Sequence, residues 1–110
     1  MKIALQENLL PGNTLTEKLD FAEALGVEGL EVPGRMALYD HVERYESALA
    51  GRSIKLVSIC GQNTFDWLDP DVGKRRASVE ETKRNLCAAG HFGAIGQIMP
   101  PIFGPPRLPD

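Results

Sequence analysis

The chain has 110 residues, of which 43% are hydrophobic, 25% are charged and 6% are aromatic, and its formal net charge is −3. These values are typical of one globular domain. They disfavour a nucleic-acid partner, because phosphate binding needs a strongly basic surface, and no apolar run is long enough to span a membrane.

Cysteine usage and the N-terminal residues predict a cytoplasmic location. Cys60 and Cys87 lie far apart in the sequence and have no metal-ligand spacing, which is typical of reduced cytosolic proteins. The N-terminus reaches charged residues before the apolar region of a signal peptide could form.

Four short apolar segments predict β-strands, and three longer segments between them predict α-helices. The predicted strands are residues 2–6, 27–32, 54–59 and 94–99. Strict alternation of strand and helix predicts a parallel sheet built from βαβ units. An open four-stranded α/β sheet fits the same pattern, although no glycine-rich phosphate loop follows the first strand.

The three helices carry start and stop signals of different strength. Thr14 and Glu17 form a capping box that predicts the start of the first helix, and Gly26 predicts its end. The second helix is predicted over residues 38–50. The third is predicted to begin at an N-cap, Asp69, and to end before Gly93. Its predicted apolar face is Val72, Val79, Leu86 and Ala89.

Side-chain alternation along the strands selects the candidate site residues. In the second strand Leu30 and Val32 share one face, so Glu31 takes the other, near the carboxyl end. A carboxylate there needs a partner or a ligand, which makes Glu31 a substrate contact, a support for such a contact, or a satisfied structural carboxylate. A different strand register would instead expose it to solvent. The same reasoning makes Gln6 a substrate contact or a polar filler. In the third strand, Ser58 and Cys60 lie opposite Val57 and Ile59.

The loop after the third strand combines amide, hydroxyl and aromatic groups, which suit a sugar. Trp67 is a candidate platform for a sugar ring or, alternatively, a cap that packs the loop onto the scaffold. Cys60 is predicted to be a small inward filler rather than a nucleophile, because no activating base lies nearby in sequence. His41 and His91 lack metal-ligand spacing and are predicted to have surface or packing roles.

The fourth strand and the residues after it leave two questions open. Residues 93–100 align weakly with residues 26–33, which puts Ile98 at the position of Glu31 and turns Gln97 to the other face. If polar residues simply face inward, Gln97 instead shares the face of Glu31. The proline-rich residues 100–110 are predicted to form the loop after this strand, with a polyproline ligand as the alternative. Arg107 is there either a phosphate contact or a plain surface residue.

Five short segments together resemble the sugar-phosphate isomerase/epimerase family of the xylose isomerase-like barrel superfamily. They run in the family's order over essentially the whole chain: residues 1–7, 29–32, 57–61, 68–71 followed by 75–76, and 93–96 followed by 100–101. The resemblance implies an α/β fold, the first half of a (β/α)₈ TIM barrel in the order β1-α1-β2-α2-β3-α3-β4. Residues 1–110 would then be one partial domain that ends in the loop between β4 and α4.

The family's chemistry is implied by the same resemblance. It is metal-dependent isomerisation or epimerisation of a sugar or sugar phosphate, by proton transfer next to a carbonyl through an ene-diolate. The divalent metal, Mn²⁺, Mg²⁺ or Zn²⁺, is held mainly by later strands, so no metal ligand and no catalytic residue is predicted in this chain. The predicted substrate-binding residues are Gln6, Glu31 and Trp67, and Glu31 matches a glutamate common at the family's second strand.

The other hypotheses include a non-catalytic protein as well as enzymes of different activity. A non-catalytic half barrel predicts a homo-oligomer, because its open sheet edges and apolar surface need a partner. A sugar-binding protein or dehydratase of the same fold is a further alternative. An endonuclease IV-like repair enzyme would need several histidines at the strand ends and a basic groove, which the predicted strands lack.

Overall fold

The computed structural model of the protein describes residues 1–61 and 63–100, and its strands and helices alternate along the chain. The elements are β1 (Ala4–Gln6), α1 (Leu15–Ala24), β2 (Gly29–Pro33), α2 (Val42–Leu49), β3 (Lys55–Cys60), α3 (Val72–His91) and β4 (Gln97–Ile98). The predicted alternation is therefore confirmed. No helix within the described ranges is long and apolar enough to cross a membrane.

The four strands form one parallel sheet in the order β1-β2-β3-β4. Each strand lies beside the next one in sequence, and the order never reverses. Parallel strands joined by right-handed crossovers in this order carry all their helices on the same face. The sheet consequently has one face that the helices cover and one face without helices, here called the open face.

The hydrophobic core lies between the sheet and the three helices. Leu30 and Val32 of β2 and Leu56 and Ile59 of β3 are buried on the helix-covered face, as alternation predicted for β2. The helices contribute further core side chains, which are Leu15, Leu19, Ala22, Tyr45, Ala88 and Ala89. Burying each large aliphatic side chain stabilises the fold by about 1.5–3 kcal/mol.

The first helix begins and ends where its sequence signals predict. Glu17 N donates to Thr14 Oγ1 over 3.2 Å, and Thr14 N donates back to Glu17 Oε2 over 3.3 Å, which completes the capping box. Gly26 adopts a φ of 75°, a left-handed conformation that costs little only for glycine. Both predictions for this helix are confirmed.

The second helix is shorter than predicted, because the chain turns before it. Leu38–Asp40 form a 3₁₀ turn, and α2 starts only at Val42, after His41 leaves helical geometry. Leu38 is fully buried, and the guanidinium carbon of Arg84 lies 4.5 Å from the ring centre of Tyr39. Contact of this turn with α3 therefore overrides the continuous helix that the apolar spacing predicted.

The third helix differs from prediction at its start and in its buried face. Its N-cap is Asp71, which accepts hydrogen bonds from the backbone of Gly73 and Lys74, whereas Asp69 accepts from Asp71 N in the preceding turn. The predicted face is also wrong, since Val72, Val79 and Leu86 are exposed and only Ala89 is buried. The buried side chains of α3 are Ser78, Glu81, Asn85, Ala88 and Ala89.

The fourth strand is short, and its register answers one open question. Gln97 pairs with Ile59, and Ile98 pairs with Cys60. Paired residues of parallel strands point to the same side, so Gln97 shares the helix-covered face with Ile59, while Ile98 shares the open face with Cys60. This is the arrangement that the weak internal repeat predicted. Residues 101–110, including Arg107, lie outside the described residues.

Candidate functional site

Three polar side chains form a row across the open face at the carboxyl ends of β1, β2 and β3. Gln6 lies opposite Glu31, and Glu31 lies opposite Ser58. Gln6 Nε2 donates to Glu31 Oε1 over 2.7 Å, and Ser58 Oγ donates to Glu31 Oε2 over 2.6 Å. The structure thus brings the two strand residues selected from sequence, Gln6 and Glu31, into direct contact.

A β-bulge in the third strand brings Ser58 beside Glu31. Leu30 pairs with Leu56, but the next pair is Glu31 with Ser58, so Val57 is the additional residue. A Cβ placed on Gly29 would meet the Val57 methyl groups at 3.1 and 3.2 Å, which places Val57 on the open face. The expectation that Val57 shares a face with Ile59 was therefore wrong, because the bulge interrupts the alternation.

Cys60 extends this polar cluster toward the end of β3. Burial raises the pKa of its thiol, the charge of Glu31 and a hydrogen bond to it raise it further, and a hydrogen bond with Gln6 lowers it. A thiol whose pKa is raised stays protonated near neutral pH and is a poor nucleophile. This environment agrees with the prediction that Cys60 is not an activated nucleophile.

The backbone at the rim of the site is closely packed where β2 and β3 end. A Cβ on Gly61 would lie 2.3 Å from Gly34 N, and a Cβ on Gly34 would lie 2.8 Å from Gly61 Cα. No side chain fits at either position without moving the backbone. The two glycines therefore let the loops after β2 and β3 lie against each other beside the Gln6–Glu31–Ser58 row.

A second carboxylate, Glu7, is buried directly after β1, and its role was missed from the sequence. Only 2% of Glu7 is exposed. Its carboxylate accepts from the Tyr45 hydroxyl and lies 3.3 Å from Lys18 Nζ. Burial is the main cause that raises the pKa of the Tyr45 hydroxyl, and the hydrogen bond to Glu7 and its charge raise it further. The available sequence signal was a charged residue following a strand, with a tyrosine inside the apolar stripe of the second helix.

The loop after β3 is fastened to α3 by buried polar groups that sequence reasoning also missed. Asn63 Nδ2 lies 2.7 Å from the Ser78 carbonyl oxygen and 2.6 Å from Thr82 Oγ1. Thr64 N donates to Glu81 Oε2 over 2.8 Å. These bonds give the physical reason why α3 buries a polar face: that face receives the backbone and side chains of the loop.

The remaining candidates lie outside the hydrogen-bonded row. Trp67 is half-buried in the loop that follows β3, and the structure does not place it in the row with Gln6 and Glu31. His91, the last residue of α3, pairs with Glu46 of α2, and His41 precedes α2. Within residues 1–61 and 63–100, no three His, Cys, Asp or Glu side chains are grouped to hold a metal ion.

Chemically, the row offers hydrogen-bond acceptors more than donors. One NH₂ hydrogen of Gln6 and the hydroxyl hydrogen of Ser58 are directed to Glu31, and Gln6 also bonds the Cys60 thiol. The Gln6 carbonyl oxygen and the Ser58 lone pairs can then accept hydrogen bonds from a ligand. Groups of this kind bind hydroxyl hydrogens. The row also lies at the carboxyl ends of parallel strands, where α/β folds bind their ligands.

Comparison with known proteins finds similarity between this chain and sugar epimerases. No protein-family model matches the chain. The 3-dehydro-D-guloside 4-epimerase of Escherichia coli (strain K12) is 24% identical over 106 residues, which are 94% of this chain and 39% of that protein. The chain therefore spans about two fifths of the length of this curated relative.

A solved structure shares the fold of the described chain. The crystal structure of 3-keto-D-glucoside 4-epimerase, YcjR, from E. coli in its apo form matches with a TM-score of 0.76 at 23% identity. The match covers 88% of this chain and 36% of that one. Our four-stranded parallel sheet with its helices is thus the same fold as part of that epimerase.

Proposed function

We propose that this chain is the first part of a sugar epimerase with a (β/α)₈ barrel, and that the open face of its sheet supplies hydroxyl-binding groups to the sugar site. The observation that carries the proposal is the row of Gln6, Glu31 and Ser58 at the carboxyl ends of three neighbouring strands. Both matched proteins are named as sugar 4-epimerases, which supports a sugar as the ligand.

The sheet order supports the barrel part of the proposal. Four parallel strands in unbroken sequence order are half of the eight that close a (β/α)₈ barrel. Doubly wound sheets instead reverse their strand order at the ligand crevice. In a closed barrel the open face of this sheet would become the interior, and Gln6, Glu31 and Ser58 would line its mouth.

Each candidate residue has a defined task in this proposal. Gln6 and Ser58 accept hydrogen bonds from sugar hydroxyls, Glu31 holds the charge at the centre of the row, and Trp67 covers an apolar face of the sugar ring from the loop after β3. Metal dependence and the ene-diolate route, expected from the family resemblance, rest on residues outside this chain. We assign no step of that chemistry to the described residues.

Titration of the ¹⁵N-labelled chain with a methyl 3-keto-D-glucoside tests the proposal. We expect saturable chemical-shift changes centred on Gln6, Ser58 and Cys60, together with a change in Trp67 fluorescence. Gln6→Leu removes the amide from the row and should abolish these changes, whereas Asn13→Leu removes an exposed amide before α1 and should not. Shifts confined to residues far from the row, or none at all, would contradict the proposal.

A second candidate function, self-association of a non-catalytic half barrel, is favoured by the edge of the sheet at β4. Ile95 is 92% exposed, Ile98 51% and Met99 38%. An apolar edge strand of this kind is a template for pairing with another chain. Sedimentation of the chain over a concentration series tests it: association that Ile98→Lys removes would support this candidate, and a monomer at every concentration would reject it.

A further inference from the structure

The chemistry of Glu31 decides which way the Gln6 side chain faces. An ionised carboxylate only accepts hydrogen bonds, so the group that Gln6 presents to it must be the NH₂ end of the amide. The carbonyl oxygen of Gln6 then points away from Glu31. The same rule makes Ser58 use its hydroxyl hydrogen on Glu31, and among the described residues no donor reaches its lone pairs.

Glu31 is itself already engaged on both sides. Its Oε1 accepts from Gln6 on β1 and its Oε2 accepts from Ser58 on β3, and the three residues lie in direct register. The side chain is half-buried between these neighbours. Each carboxylate oxygen of Glu31 thus has a donor from a neighbouring strand, and Gln6, which is half-buried, is more accessible than Ser58, which is 6% exposed.

We propose that Glu31 is a positioning residue, which holds Gln6 and Ser58 so that their acceptor oxygens are left for sugar hydroxyl groups. This inference rests on the proposed function, since it assigns a role within the same sugar site. It distinguishes Glu31, which acts through its neighbours, from Gln6 and Ser58, which touch the ligand.

Glu31→Gln keeps the shape of the side chain at position 31 but removes the charge that fixes the orientation of the Gln6 amide. An amide at position 31 can donate as well as accept, so the Gln6 amide can pair with it in either orientation, and one of the two consumes the Gln6 carbonyl oxygen. We expect binding of the methyl 3-keto-D-glucoside to weaken about 3- to 10-fold, the value of one hydrogen bond. Far-ultraviolet circular dichroism checks that the variant keeps its fold.

The double variant Gln6→Glu/Glu31→Gln exchanges the two groups and provides the rescue. The amide at position 31 now donates to the carboxylate at position 6 and accepts from Ser58, so the network again has one orientation and residue 6 again presents an acceptor oxygen. We expect sugar affinity to return to within about 2-fold of the starting chain, since each hydrogen bond of the row is restored. If Glu31 had only a structural role, the exchange would not be expected to restore sugar affinity.

Each result has a defined meaning. Weak binding by Glu31→Gln that the exchange does not rescue would show that the sugar contacts Glu31 itself and would overturn the inference, as would unchanged binding by Glu31→Gln. Hydrogen exchange of the Gln6 side-chain NH₂ gives a readout without sugar: it should be slow in the starting chain and faster in Glu31→Gln.

This second readout keeps the two proposals separable. A starting chain that binds no sugar but protects the Gln6 NH₂ would refute the proposed function and leave the orienting action of Glu31 supported. Rapid exchange of the Gln6 NH₂ in the starting chain would overturn the positioning role, whatever the sugar titration shows.

Discussion

Two carboxylates lie toward the carboxyl ends of neighbouring strands, Glu7 directly after β1 and Glu31 within β2, yet their surroundings differ in charge and exposure. Glu7 is 2% exposed and is held by the ammonium group of Lys18 and the hydroxyl of Tyr45, from α1 and α2. Glu31 is half-buried on the open face and is held by the neutral donors Gln6 and Ser58.

The difference separates a structural carboxylate from the one that we propose to be functional. A buried charge that has a cationic partner and a buried hydroxyl joins elements together, and removing it leaves polar groups without partners. A charge with neutral donors on an accessible face organises those donors while leaving their remaining atoms to a ligand. The same residue type near the ends of adjacent strands thus has two different surroundings, set by the face of the sheet on which it lies.

Glu7→Ala should have the largest effect. It leaves the Tyr45 hydroxyl buried without an acceptor and Lys18 without its partner, so we expect the free energy of unfolding to fall by about 3 kcal/mol. Urea denaturation measures the change. Glu28→Ala, which removes an exposed carboxylate near Lys2, is the control, and a comparable loss there would remove the distinction between the two sites.

Tyr45→Phe should cost about 1–3 kcal/mol at neutral pH and should alter the pH dependence above pH 10. Burial and Glu7 raise the pKa of Tyr45 above its usual value of 10.0, so the folded chain holds the phenol proton more tightly than the unfolded chain. That contribution is complete below about pH 10 and is lost as the pH rises further.

The difference in stability between the starting chain and Tyr45→Phe should accordingly shrink as the pH rises above about 10. Urea denaturation at a series of pH values from neutral to alkaline measures it. Tyr39→Phe, which alters a half-buried tyrosine outside the Glu7 cluster, is the matched control and should show no such convergence.

Glu31→Ala should destabilise the fold less than Glu7→Ala, by about 1 kcal/mol or less. Glu31 is only half-buried, so water can fill the space that its carboxylate leaves and bind the donors that it held. Urea denaturation at neutral pH makes the comparison directly. A loss as large as that of Glu7→Ala would mean that Glu31 is a structural residue and not part of a binding row.

The smallest expected effect is a change in the reactivity of the Cys60 thiol. Since the charge of Glu31 helps to raise its pKa, Glu31→Gln should lower that pKa toward its usual value and speed alkylation by iodoacetamide at mildly alkaline pH. The rate is measured on a Cys87→Ser background, because Cys87 is exposed. An unchanged rate profile would mean that Glu31 carries no charge that reaches Cys60.

Much of the fold followed from local signals. The order of strands and helices, the capping box at Thr14 and Glu17, and the placement of Gln6 and Glu31 on one face of their strands all depend on neighbouring residues. Backbone hydrogen bonding and the two-residue period of a strand operate over a few residues, so they can be recognised without tertiary contacts.

Several features required contacts between distant parts of the chain. The second helix lost its first turn because Tyr39 packs under Arg84, and α3 turned a polar face inward because Asn63 and Thr64 bind it. These side chains come from separate elements. Apolar spacing within one helix carries no information about a polar partner that arrives from a loop.

The sequence by itself determined the alternation of elements and the placement of Glu31 on the face opposite Leu30 and Val32, because both arise from local geometry. Only the tertiary structure decided what surrounds each carboxylate. The bulge at Val57 shifts β3 by one residue and brings Ser58 to Glu31, and the docking of α1 and α2 encloses Glu7 between Lys18 and Tyr45. Strand register and helix docking depend on the packing of the whole sheet, which no single segment specifies.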